Sequence, residues 1–170
     1  DDGGEEPEIA GLYVIAPDGL PRRVGLSVGN EFSDHIMEKK NYLYLAPSKL
    51  RTASVGPEVC LDASFEDVSG TVRVERAGDV VWTEEISTGE ANMSHSLANL
   101  EQHHFKYPQH RRPGDVHVHY FGADAFSFGA GVALEDGDVM VVEWQGFGRP
   151  LRNPIRINSG QDELLDVCAL

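Results

Sequence analysis

The chain has 170 residues, of which 41% are hydrophobic and 25% charged, proportions that are ordinary for one soluble globular domain spanning residues 1–170. The formal net charge of -14 argues against nucleic acids and anionic membranes as partners, because both bind patches of Lys and Arg. No apolar run is long enough to predict a membrane span. Cys60 and Cys168 are too few for a disulfide framework, so we predict free thiols in a reducing cytoplasm.

Short strands, frequent turns and one helix follow each other along the chain. Strands are predicted at residues 9–16, 22–28, 59–65, 70–75, 80–86, 116–121 and 139–144, with a last short strand within residues 147–157. Residues 94–105 are the helix candidate, because Leu97 and Leu100 recur at helical spacing and Ser94 can cap the N-terminus. The sequence therefore predicts a fold that is mainly β with a few helices.

Residues 29–58 form the longest stretch without a clear period. The stretch contains Glu31 and Lys49 and ends near Gly56-Pro57, while its aromatic and aliphatic side chains argue against disorder. Long irregular connections inside a compact domain are usually functional. We therefore predict that this stretch is an ordered active-site segment.

Three carboxylates are predicted to meet at one end of the first hairpin. The turn signal Pro17-Asp18-Gly19 predicts a hairpin centred near residue 19, in which the numbers of opposed residues sum to about 38. This places Glu31 beside the Glu6-Pro7-Glu8 segment, in which Glu6 and Glu8 point to one face of an extended strand. An all-oxygen site of this kind suits Mg²⁺ first and Mn²⁺ or Ca²⁺ next. The alternative is a solvated acidic terminus beside an unrelated acid.

The other polar residues allow two interpretations each. Lys49 is either an ordinary exposed lysine or a donor to a developing oxyanion. His117 and His119 share one face of a strand, but the Gly and Glu spacing of a cupin metal site is missing, which favours a structural pair or polar substrate contacts. His103 and His104 are adjacent on the helix and diverge, so a metal shared between them is not expected.

Six blocks, in order across nearly the whole chain, resemble motifs of one enzyme family. They are Glu6-Pro7-Glu8, Gly29-Asn30-Glu31-Phe32-Ser33, Lys49 with Gly56-Pro57, Ser87-Thr88, Pro113-Gly114-Asp115-Val116 and Leu151-Arg152-Asn153-Pro154. The blocks are similar to those of the fumarylacetoacetate hydrolase superfamily. The details are closest to a branch linked to sugar-acid catabolism, and a related branch dehydrates 2-keto-3-deoxy sugar acids.

The resemblance implies a mixed β-roll or sandwich-like fold, a divalent metal that is usually Mg²⁺, and a small 2-keto acid as substrate. It maps the metal ligands onto Glu6, Glu8 and Glu31, the catalytic lysine onto Lys49 and a substrate-binding hydroxyl onto Thr88. Arg51 and Ser33 are further candidates for substrate binding, and His119 or His35 for the proton donor. By analogy with the family we also expect a homo-oligomer.

The chain departs from the family pattern in four places. Glu31 replaces the usual Asp, Asp34-His35 stands where an arginine is common, and His119-Tyr120-Phe121-Gly122 replaces a Thr-Gly-Thr-Pro segment. The Glu-x-Glu begins at residue 6, whereas the family has a region upstream that often carries a water-activating His/Glu pair. We therefore expect the chain to be the C-terminal part of a longer protein.

Three functions follow from these observations. The first is a Mg²⁺-dependent lyase that dehydrates a 2-keto-3-deoxy sugar acid. The second is a C–C hydrolase of a diketo acid, which an upstream His/Glu pair would favour. The third is a non-catalytic module that binds a metal or a sugar acid.

Overall fold

The chain folds into two antiparallel sheets of four strands each, which confirms the predicted fold class. The structure is a computed structural model that describes residues 2–49, 52–160 and 164–169. The first sheet has the strand order β3-β2-β1-β6 and the second has the order β5-β4-β7-β8. The strands are β1 Pro7–Ile15, β2 Pro21–Glu31, β3 Ala53–Cys60, β4 Val68–Arg76, β5 Asp79–Thr88, β6 Val116–Tyr120, β7 Val139–Trp144 and β8 Leu151–Pro154.

The first hairpin forms as predicted, but its register differs by one residue from the prediction. Pro7 pairs with Asn30 and Glu8 with Gly29, and a bulge that leaves Val24 unmatched shifts the pairing again between Leu12 and Tyr13. Because side chains alternate, a slip of one residue moves every side chain to the other face. The observed register, and not the predicted one, puts Glu31 on the same face as Glu8.

The two sheets pack face to face around the main core. Ile9 and Val28 of the first sheet join Val72, Val142 and Trp144 of the second in one buried cluster. We call the face of the first sheet that carries Ile9 the inner face and the opposite one the outer face. By alternation, Glu8, Glu31 and Tyr120 belong to the outer face.

The second sheet begins with a tight hairpin between β4 and β5. Arg76 pairs with Asp79 across the turn residues Ala77 and Gly78, which have φ values of 53° and 94°. Positive φ at both turn positions is the geometry that matches the twist of the flanking strands.

The described residues include three short α-helices. They are α1 His35–Lys40, α2 Leu45–Ser48 and α3 Leu97–Phe105. The prediction that Ser94 caps α3 is wrong, because Ser96 accepts the hydrogen bond from the Asn99 N–H. Residues 29–58 are also more regular than predicted, since they contain α1, α2 and most of β3. None of the helices in the described ranges is long and apolar enough to cross a membrane.

Candidate metal centre and active site

Glu6, Glu8 and Glu31 converge at the open end of the first hairpin. Each offers one carboxylate oxygen, and the three oxygens lie within 4.8 Å of one another. The Glu31 N–H donates to the Glu6 carbonyl, which continues the ladder beyond the last strand pair and keeps these side chains on one face. Glu6 and Glu8 are buried, and Glu31 is half-buried.

Burial and mutual repulsion perturb the three carboxylates differently. Burial, with added repulsion from Glu31 and Glu6, raises the pKa of Glu8 to about 8. The Gly122 N–H donates a hydrogen bond to Glu8 Oε2, which lowers the pKa but does not outweigh the burial. Burial also raises the pKa of Glu31. At Glu6, burial is outweighed by hydrogen bonds from His35 and Lys49, so its pKa lies below the usual value.

The donor set fits a hard divalent cation. Three carboxylate oxygens with no nitrogen or sulfur ligand among them suit Mg²⁺, Mn²⁺ or Ca²⁺, and not a thiolate- or imidazole-seeking metal. A cation would also neutralise the repulsion that raises the pKa of Glu8. These three side chains could therefore hold a metal.

Lys49 lies at the end of α2 with its ammonium group beside the carboxylates. It donates to Glu6, to Ser33 Oγ at 2.9 Å, and pairs with Glu38 Oε1 at 3.0 Å. Burial lowers the pKa of Lys49, but the hydrogen bonds to Glu6 and Glu38 outweigh this effect and raise it overall. Lys49 is thus a fixed cation and a hydrogen-bond donor, not a base.

These side chains surround an open cavity of about 370 Å³. Its lining adds two polar side chains that the sequence interpretation did not assign, Glu38 of α1 and Tyr120 of β6. The Tyr120 hydroxyl donates to the Ser54 carbonyl at 3.2 Å, and burial, with repulsion from Glu31 and Glu8, raises its pKa. Alternation on β6 could have indicated Tyr120, but no local signal points to Glu38.

Two of the predicted site residues support others instead of lining this cavity. His35 is 2% exposed, stacks against Phe126 and Phe128, and lies with Nε2 3.3 Å from Glu6 Oε1. It therefore orients Glu6. Ser33 is fully buried and its hydroxyl accepts from Lys49, so it positions that lysine.

The structure does not bring His119 to the carboxylates. His119 pairs with Gly11 on β1 and lies on the inner face, stacked near Tyr13 and Phe105. The prediction that His119 donates a proton in this site is wrong for this geometric reason, since its neighbour Tyr120 takes the outer face.

Thr88 lines a second cavity of about 320 Å³, next to the first. The two cavities share Tyr120, Gly122 and Ala123 in their walls. Thr88 is therefore near the carboxylates without contacting them. Arg51 lies outside the described residues.

The overall fold matches solved structures, whereas no protein-family model and no curated protein matches the sequence. A 2-keto-3-deoxy-D-arabinonate dehydratase complexed with magnesium and 2,5-dioxopentanoate is 20% identical, with a TM-score of 0.69 over 92% of this chain and 53% of that chain. A 5-carboxymethyl-2-hydroxymuconate delta-isomerase from Mycobacterium smegmatis is 21% identical, with a TM-score of 0.64 over 94% of this chain and 61% of that one.

A third solved structure also matches over most of this chain at low sequence identity. The 2-hydroxyhepta-2,4-diene-1,7-dioate isomerase from Mycobacterium marinum is 19% identical, with a TM-score of 0.63 over 94% of this chain and 61% of that one. The chain thus spans between 53% and 61% of the length of these three proteins. It has the fold of these enzymes, as its resemblance to the fumarylacetoacetate hydrolase superfamily predicts.

Proposed function

We propose that this chain forms the metal-binding part of a divalent-metal-dependent lyase that dehydrates a 2-keto-3-deoxy sugar acid. The observation that carries the proposal is the convergence of Glu6, Glu8 and Glu31 beside the ammonium group of Lys49. The dehydratase of the same fold, which is complexed with magnesium and 2,5-dioxopentanoate, supports it.

Glu6, Glu8 and Glu31 would hold the cation, with Mg²⁺ as the first candidate. A bound cation would supply Lewis-acid chemistry, which would make the C3 proton of a 2-keto acid more acidic. His35 keeps the Glu6 carboxylate oriented from behind. The Gly122 N–H does the same for Glu8.

Lys49 would stabilise the negative charge that develops on the substrate oxygen. Its ammonium group stays protonated at neutral pH and is fixed by Glu6, Ser33 and Glu38. A donor held in place before the reaction stabilises developing charge without a reorganisation cost. The charge left on the substrate when C3 loses its proton is of this kind. The Glu38 carboxylate, which lines the same cavity and is not one of the three proposed ligands, would accept that proton.

Tyr120 is the group we assign to protonation of the C4 hydroxyl as it leaves. It lines the cavity and keeps its proton at neutral pH, because burial and the nearby carboxylates raise its pKa. Geometry excludes His119 from this role, and the burial of His35 keeps it from the substrate. Thr88 would contact the far hydroxyls of the substrate from the adjoining cavity.

Product analysis of the full-length protein tests the proposal. The protein with Mg²⁺ is incubated with 2-keto-3-deoxypentonates and with acylpyruvates, and the products are followed by NMR. We expect loss of water without C–C cleavage, strongly reduced in Glu31→Gln but unchanged in Glu143→Gln, an exposed acid of the second sheet.

Two outcomes would contradict the proposal. C–C cleavage of acylpyruvates would make the protein a hydrolase that uses the same metal. No turnover of either class, together with unchanged Mg²⁺ binding in Glu31→Gln, would refute the metal site itself. The homo-oligomeric state and the cytoplasmic location stay predictions.

A further inference from the structure

Three histidines converge on the inner face of the first sheet, on the side opposite the carboxylates. His104 comes from the last turn of α3, and His117 and His119 come from β6. Each offers one ring nitrogen, and the three nitrogens lie within 4.8 Å of one another. His104 Nε2 and His117 Nδ1 lie 3.2 Å apart, within hydrogen-bond distance.

The local structure explains why these three side chains meet. His117 and His119 are two residues apart on β6, so they share a face. The helix α3 lies over this face, with Phe105 buried against Tyr13. This packing brings His104, and not the exposed His103, against the strand. The two adjacent helix histidines diverge as predicted, and one of them finds its partners on β6.

The cluster has buried nitrogen atoms without hydrogen-bond partners. Among the residues that the structure describes, His119 Nε2 is buried and has no partner. His117 Nε2, the ring nitrogen of His117 other than the one that contacts His104, is also buried without a partner. Buried polar atoms are otherwise almost always paired, so an unpaired nitrogen beside other imidazoles indicates a ligand. No carboxylate contributes a ligand atom to this group, unlike the site on the outer face.

Burial and the neighbouring imidazoles favour the neutral form of His104 and His119. Burial, with repulsion from His104 and His117, lowers the pKa of His119 to about 4. Burial, with repulsion from His110 and His117, lowers the pKa of His104 as well. A neutral imidazole has the lone pair that metal coordination requires.

A neighbouring contact fixes the helix end that carries His104. His110 Nδ1 lies 2.9 Å from the His104 carbonyl, and because a carbonyl only accepts, this nitrogen carries the proton. The His110 ring also stacks on the His104 ring, with centroids 4.3 Å apart. Contacts that orient a ligand are common around metal-binding histidines.

We propose that His104, His117 and His119 bind Zn²⁺. Imidazole nitrogen suits Zn²⁺ and neighbouring transition metals, while Mg²⁺ takes oxygen ligands. Tetrahedral Zn²⁺ with ordinary Zn–N bonds separates two nitrogen ligands by about 3.3 Å, close to the distance between His104 and His117. The ion would join the end of α3 to β6 and leave one coordination position open.

Calorimetric titration with Zn²⁺ in a background of millimolar Mg²⁺ tests this site. We expect one Zn²⁺ per chain, with affinity lowered about tenfold or more in His104→Gln and in His119→Gln. The matched control is His103→Gln, whose exposed ring contacts Lys106 and not the cluster. Glu31→Gln controls for Zn²⁺ at the carboxylates, and neither control should weaken binding.

Thermal unfolding and Co²⁺ substitution provide independent readouts. Zn²⁺ should raise the melting temperature of the wild type and of His103→Gln, but not of His119→Gln, because an ion stabilises only the state that binds it. Co²⁺ should give the visible absorption of a tetrahedral nitrogen site in the wild type, even if a variant does not fold. Absence of this absorption, binding that is lost in Glu31→Gln, or equal losses in His103→Gln would overturn the proposal.

Discussion

The pKa of Glu8 leads to a prediction about how the stability of the metal-free protein depends on pH. Its side chain is 2% exposed, and its pKa rises from 4.5 to about 8. At 1.36 kcal/mol per unit, ionisation of Glu8 costs the folded state about 5 kcal/mol. The folded state therefore keeps a proton that the unfolded chain releases above pH 4.5.

The sign of the effect follows from this difference in bound protons. Because the folded state binds the extra proton, the free energy of unfolding falls as the pH rises from 4.5 to about 8. The expected slope from Glu8 is about 1.4 kcal/mol per pH unit. Gln resembles the protonated acid, so Glu8→Gln should lack this part of the slope. It should be about 4 kcal/mol more stable than the wild type at pH 8.

Urea unfolding between pH 5 and pH 8 in the presence of EDTA measures this difference. The matched control is Glu75→Gln, because Arg152 and Arg73 lower the pKa of Glu75 to about 2 and it does not titrate in this range. The control should change stability by the same amount at every pH. Parallel curves for the wild type and Glu8→Gln would refute the reasoning.

Mg²⁺ should reverse the order of stability of the wild type and Glu8→Gln at pH 8. A metal ligand must be deprotonated, so Mg²⁺ has to displace the Glu8 proton, and its affinity should fall about tenfold per pH unit below pH 8. Mg²⁺ should therefore stabilise the wild type at pH 8 and have little effect on Glu8→Gln. Equal stabilisation of both proteins would mean that Glu8 is not a ligand.

Three further changes test other parts of the structure. Lys49→Met should lower kcat by about 10²-fold or more without weakening Mg²⁺ binding, because it removes a charge-stabilising donor and no ligand; weaker Mg²⁺ binding in calorimetry would contradict this role. In Gly29→Ala the new Cβ would lie 3.0 Å from the Tyr120 ring and displace it, so kcat/KM should fall roughly tenfold while Mg²⁺ affinity is retained. Trp144→Phe removes the hydrogen bond from Trp144 Nε1 to the buried Glu8 carbonyl and should lower the free energy of unfolding by about 2 kcal/mol or more in urea. A loss below about 0.5 kcal/mol would mean that another group satisfies that carbonyl.

The sequence predicts which three carboxylates form the site, but not the strand register that brings them together. Alternation alone puts Glu6 and Glu8 on one face. The predicted register would place Glu31 opposite Pro7 and therefore on the other face. The bulge at Val24 and the actual pairing depend on contacts across two strands, which no local turn signal specifies.

The periodicity of the sequence could not predict which residues surround Lys49. The helix α1 has six residues and α2 has four, too short to show a helical period. Glu38 reaches Lys49 only because these two helices fold back on each other. Asp34, which caps α1 by accepting from the Met37 N–H, is the one local signal that could have indicated this turn of helix.

The strand β6 separates the two proposed metal sites. Tyr120 faces the carboxylates on the outer face, while His119, one residue earlier, faces the histidine cluster on the inner face. The outer site gathers oxygen ligands, among which Glu8 and Glu31 have raised pKa values. The inner site gathers nitrogen ligands, among which His104 and His119 have lowered pKa values. Mg²⁺ and Zn²⁺ would therefore be selected by the chemistry of each face, so that a variant on one face should leave metal binding on the other unchanged.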